Sequence, residues 1–210
     1  MRAEGSWLWP VAALALVAAG PAFAWSPREL VSPCRGDCAA ATYVGRQLVD
    51  GLDDVLLFDP AIPTDWELDD ERFVGFALSR QTGKVWNRVD IEPELGIGQR
   101  FGVQDETEVW GAVYFRYRGF PWDRYLLTSV ALSTGLNYAS GISELEKEKA
   151  RDGEGSRLMH FFSPEVTFAL PRYPDTELLF RIHHRSGVFG VVSDAFSGMQ
   201  YATFGLRIRY

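Results

Sequence analysis

Near the C-terminus the chain runs Leu178-Leu179-Phe180-Arg181-Ile182-His183-His184-Arg185-Ser186-Gly187. In an extended strand alternate residues share a face, so His184 and Ser186 fall on the same side as Leu178, Phe180 and Ile182. An imidazole and a hydroxyl so placed come within hydrogen-bond reach, and His184 is a candidate general base for Ser186 Oγ, the chemistry of a serine esterase. His183 and Arg185 alternate with the pair and are candidates for lipid phosphates or for acids on the opposite face. No zinc-type Cys/His spacing, no phosphate-binding G-x-x-x-x-G-K-[ST] and no G-x-S-x-G is present.

The elements that must position these residues are strands. Beyond residue 40 no convincing helix is legible, but eight segments have period-two character, at about 41–48, 71–80, 86–101, 107–118, 124–139, 156–171, 176–187 and 199–210. In the third, Val89, Ile91, Leu95 and Ile97 oppose Arg88, Asp90, Glu92, Glu94, Gly96 and Gly98. In the last, Ala202, Phe204, Leu206, Ile208 and Tyr210 oppose Thr203, Gly205, Arg207 and Arg209. Short turns (81–84, 119–123, 172–175) alternate with generally longer polar loops (49–70, 140–155, 188–198), 102–106 being the exception. These features predict an all-β fold, an eight-stranded antiparallel up-and-down outer-membrane β-barrel. Its inward face would hold Glu92, Glu94, Arg116, Glu165, Arg181, Arg207 and Arg209, neutralising one another in a filled interior. The soluble rival is an eight-stranded carrier with the apolar face inside; a porin-like channel is the third possibility.

Composition is compatible with this. The chain has 210 residues, a net charge of −7 and no basic tract, which argues against nucleic acid as a partner. Mean hydropathy is −0.09 while 14% of residues are aromatic, a combination that suits two opposed faces rather than a helical membrane bundle. Residues 1–24 read as a secretory signal ending in Ala22-Phe23-Ala24. Residues 25–40 form an N-terminal segment in which Cys34 and Cys38 are expected to pair as a local disulfide, with the barrel over 41–210. The enclosed Arg35-Gly36-Asp37 is read as coincidence. The C-terminal aromatic Tyr210, closing an amphipathic strand, resembles the signal recognised by the outer-membrane assembly machinery. With the N-terminus periplasmic, strand seven ends at the outer leaflet, so a nucleophile on its lipid-facing side points to a lipid substrate.

At this point the chain resembles the outer-membrane lipid A 3-O-deacylases of the PagL type, eight-stranded barrels with a His-x-Ser pair near the end of the penultimate strand on the outer wall. The matching residues are His184-Arg185-Ser186. Two positions depart from the family pattern. Gly187 stands where its Asn helps to hold the oxyanion, so that at most the Gly187 backbone N–H could serve; Gln200, which shares the outward parity of Ala202 and Phe204, stands where its Glu orients the His, and Asp194, in the intervening loop, is the nearby carboxylate that could replace it. The resemblance implies hydrolysis of an acyl ester of lipid A, with lipopolysaccharide of the outer leaflet as partner, the outer membrane as location and no cofactor. Calcium could assist by binding lipid phosphates. The competing reading is a non-catalytic barrel in which the same residues anchor lipopolysaccharide. Among smaller features, His160 occupies a rim position of the sixth segment from which it could reach the site. The run Glu144 to Asp152 reads as a solvated loop, and Trp86, Trp110 and Trp122 as interfacial belt residues.

Overall fold

The computed structural model describes residues 32–49, 51–52, 65–102, 105–150, 153–188, 191–193 and 198–210. Strands β1 (Cys38–Leu48), β2 (Leu68–Arg80), β3 (Gly83–Val85), β4 (Val89–Phe101), β5 (Thr107–Arg118), β6 (Leu127–Ala139), β7 (Leu158–Phe162), β8 (Pro164–Ala169), β9 (Thr176–Ser186) and β10 (Gln200–Arg209) pair antiparallel with their neighbours. Because β10 pairs with both β9 and β1, the sheet closes on itself. It has eight staves. β7 and β8 are halves of one stave interrupted at Ser163, where Pro164 brings no N–H to the ladder. β3 prolongs β2 along β4 after a one-residue irregularity. The signal segment lies outside the described residues; the Cys34–Cys38 disulfide is formed.

The alternation places an apolar wall outside. Val74, Phe76, Leu78, Leu95, Ile97, Phe115, Leu132, Phe180, Phe204 and Ile208 are all exposed on it. This orientation excludes the soluble carrier, whose apolar face would be enclosed. Inside, Arg116 donates to Glu92 (2.9 Å), Arg207 to Glu92 and Glu177 (3.0 and 2.8 Å), and Arg181 to both oxygens of Glu94 (2.9 and 2.8 Å). Buried charges persist only when paired in this way. The interior also has an aromatic layer that strand parity alone does not announce as such: Tyr43, Phe73, Trp110, Tyr114, Phe161 and Tyr201. Gly96 and Gly98 face it because a Cβ at either position would collide with the Trp110 or Phe73 ring.

Three expectations need correction. Trp110 is not a belt residue; it is buried inside, its Nε1 donating to Glu94 (3.0 Å). The β2–β4 connection turns at Trp86-Asn87, both at positive φ (49° and 56°), instead of at 81–84, so the strands run on to a three-residue loop, 86–88, between the paired Val85 and Val89. The stretch after residue 143 is no bare loop. Glu144–Lys149 forms helix α1, started by a capping box between Ser143 and Glu146. Glu146 is fully buried, 3.7 Å from Arg100 and 3.4 Å from Arg185.

Candidate functional site

The strand termini at the start of β1 and the end of β10 share one end of the barrel with the short turns, and β9 ends at the other. There the register assembles the outward-facing residues into rows. His184 is the cross-strand partner of Gln200 on β10 and of Phe162 on β7. One outward step further, Ser186 is the partner of His160, which in turn faces Leu136 on β6. Directly opposed residues place their Cβ atoms about 4.5–5.5 Å apart, close enough for an imidazole to bridge. The structure thus brings together His184, Ser186 and Gln200, and it adds His160, whose Nε2 lies 2.9 Å from Thr134 Oγ1. Sequence parity put His160 on the correct face; only the strand register shows that it stands opposite Ser186.

These residues differ in access. His184 is 9% and Gln200 7% exposed, whereas Ser186 and His160 are half-buried. Beside them Leu48 and Ile182, both outward-facing, are buried beneath Leu52 and Trp66, which pack against them on the wall. Neither imidazole is hydrogen-bonded to Ser186 Oγ among the described residues. A catalytic contact of this kind commonly tightens only when substrate is bound.

The alternate side chains of β9 point the other way. His183 lies in the interior with Nε2 2.8 Å from Glu108 Oε1, wedged among Phe73, Trp110 and Phe161 at ring separations of 4.5–4.8 Å. Arg185 is fully buried; it donates to the Ser156 and Arg157 carbonyls (2.7 and 3.1 Å) and faces Glu146. Both therefore take the interior acids as partners, and the barrel wall separates them from any lipid outside. Just past Ser186, the Gly187 carbonyl accepts from Val192 N–H (3.0 Å), and Val188 holds φ at 51°, a left-handed conformation costly for a β-branched residue. Asp194 lies outside the described residues. No cluster of His, Cys, Asp and Glu able to hold a metal occurs among the described residues.

Below the site an open apolar groove of about 940 Å³ crosses the outer wall. Ile182, Ala202 and Pro164 line it at the site end, and each is one outward step from His184, Gln200 and Phe162 respectively. Trp66 covers that end. Phe180, Phe204, Val166 and Leu132 continue the groove, and Phe168, Tyr117 and Val89 line it toward the termini end. From Pro164 to Phe168 it descends roughly 13 Å at the rise of an extended strand.

Comparison with solved structures finds similar chains. The outer membrane enzyme PagL superposes with a TM-score of 0.54 at 14% identity, over 82% of this chain and 99% of that one. The fold is that of an outer-membrane barrel. Neisserial surface protein A (TM-score 0.49, 9% identity, 85% and 100% covered) and Ail, the attachment invasion locus protein of Yersinia pestis (0.39, 11%, 83% and 95%), are also similar but add nothing to that conclusion. At 14% identity the likeness to PagL is one of fold. No protein-family model matches the sequence, and comparison with curated proteins finds no match.

Proposed function

We propose that the chain is an outer-membrane ester hydrolase that removes an acyl chain from lipid A. The observation that carries this reading is the apolar groove ending one same-face step, two residues, from the His184–Gln200 row and two such steps from Ser186. An acyl chain lying in the groove would hold its ester carbonyl at the level of the serine, at the barrel end where lipid headgroups begin. Ser186 Oγ attacks that carbonyl, a neighbouring imidazole carries the proton to the departing alcohol, and water releases the fatty acid by the reverse sequence. The resemblance gives the imidazole's part to His184 with Gln200 orienting it, and leaves the oxyanion to backbone N–H groups near Gly187. The chemistry requires no metal. Under the same reading residues 1–24 direct export, β10 and Tyr210 serve assembly into the outer membrane, and lipopolysaccharide of the outer leaflet is the partner.

A second reading, a non-catalytic barrel that holds lipid in the same groove, is favoured by the burial of His184 and by Gln200 and Gly187 standing where the deacylase pattern has Glu and Asn. One experiment separates the two. The mature protein is refolded in detergent with lipid A, and fatty-acid release is followed by mass spectrometry beside Ser186→Ala. Release by the parent and none by the variant supports the hydrolase. Lipid retained by both proteins with release by neither supports the binding barrel.

A further inference from the structure

Ser186 has two imidazoles for neighbours, and the structure treats them differently. His184 is enclosed, with Gln200 as its cross-strand partner on β10. His160 shares with Ser186 a half-buried position on the wall and is its direct cross-strand partner. On its far side His160 Nε2 meets Thr134 Oγ1 at 2.9 Å. The order Ser186, His160, Thr134 therefore crosses β9, β7 and β6, directly from Ser186 to His160 and then on the diagonal to Thr134, two residues from Leu136. The two nitrogens of an imidazole point in divergent directions, so a ring held through Nε2 toward β6 turns Nδ1 away from β6. With Nε2–H donating to the threonine hydroxyl, Nδ1 carries the lone pair. This is nucleophile, base and orienting group in sequence.

We infer that His160, oriented by Thr134, is the imidazole that exchanges the proton with Ser186. The inference deepens the hydrolase reading and rests on it. The Ser186 Oγ–H proton passes to His160 Nδ1 as Oγ bonds to the ester carbonyl carbon. The tetrahedral adduct then expels the lipid alkoxide, which takes that proton and leaves an acyl-serine. Water repeats the cycle, giving its proton to His160 as it attacks, and the acyl–Oγ bond breaks to free the fatty acid and reprotonate Ser186. His184 is left with a supporting place in the wall.

The test uses the full mature chain refolded in one detergent, with heat-modified gel migration confirming that each variant is folded. Two rates are read: labelling of Ser186 by a fluorophosphonate, which reports serine nucleophilicity without lipid, and acyl release from lipid A. His160→Gln is expected to lower both by about 100-fold or more and His184→Gln by less than tenfold. Thr134→Val is expected to lower kcat while leaving KM unchanged. Free imidazole is expected to restore labelling to His160→Ala. A parent that labels and hydrolyses while folded His160→Gln matches it, or a loss confined to His184→Gln, overturns the assignment to His160 and leaves the hydrolase standing. A parent that neither labels at Ser186 nor releases acyl chains overturns both.

Discussion

Replacing Arg181 with Met is expected to destabilise the barrel by about 3–5 kcal/mol, the cost of leaving a buried charge without its partner. Arg181 lies at mid-barrel and donates to both oxygens of Glu94 (2.9 and 2.8 Å), to Glu165 Oε2 (2.7 Å) and to the Tyr43 hydroxyl (3.0 Å). Once it is gone, Glu165 keeps Arg116. Among the described residues Glu94 keeps only Trp110 Nε1, at 3.0 Å. The penalty is therefore mainly that of one stranded carboxylate, with the lost contacts to the Tyr43 and Tyr114 rings adding to it. Adding Glu94→Gln removes the stranded charge, so the double variant is expected to be more stable than Arg181→Met alone by about 2 kcal/mol, a coupling well beyond additivity. Equilibrium guanidinium unfolding in lipid vesicles measures this, and Trp110, against Glu94, supplies the fluorescence signal. A single-variant cost below about 1 kcal/mol, or a double variant whose cost equals the sum of the singles, would refute paired charge as what holds this layer.

Ala202→Trp is expected to fill the site end of the groove and to cut capture of a brominated-acyl lipid, read by tryptophan quenching, at least tenfold with little change in unfolding midpoint; undiminished capture would show that acyl chains lie elsewhere. Ser143→Ala removes the capping-box acceptor of the Glu146 N–H (2.9 Å) and is expected to cost about 1 kcal/mol, read as faster amide exchange confined to α1. At the opposite end, the Arg35 backbone N–H, joined by the Arg80 guanidinium, holds the Asp37 carboxyl below its ordinary value. A carboxyl depressed on folding stabilises fully above the ordinary carboxylate value and loses that contribution as pH falls through the lower folded value. Protection of the Gln81 amide, which donates to the Asp37 carbonyl (2.7 Å), is therefore expected to weaken below roughly pH 4 and to lose this pH dependence in Asp37→Asn.

Much of the fold is legible in the sequence because a strand exposes alternate residues to two different media. Residues 107–118 alternate more noisily than the other strands, yet the expected strand and β5 coincide, and Phe204, Leu206 and Ile208 could face outward only if the wall meets lipid. Misreadings occur where a local signal competes with that period. Ser143-Glu144-Leu145-Glu146 carries a capping box inside a charged run, and its solvated look hid a buried Glu146. Trp86-Asn87 is not among the common turn pairs, so no local signal marks the hairpin tip. Trp110 has the parity of Glu108 and Arg116, yet its residue type suggests a belt.

For the candidate site, sequence by itself determined the strands, their two faces and the side of the wall on which His184, Ser186, Gln200 and His160 lie. Which residues on that wall meet was decided by the tertiary structure. A strand's period repeats every two residues, so parity is the same for every even shift of one strand past its neighbour. Closing eight staves selects one register, and that register sets Gln200 against His184 and His160 against Ser186. Burial of Ile182, one same-face step from His184, likewise requires Leu52 and Trp66, distant from it in sequence, to pack over the wall. Such contacts between remote segments have no local period to betray them.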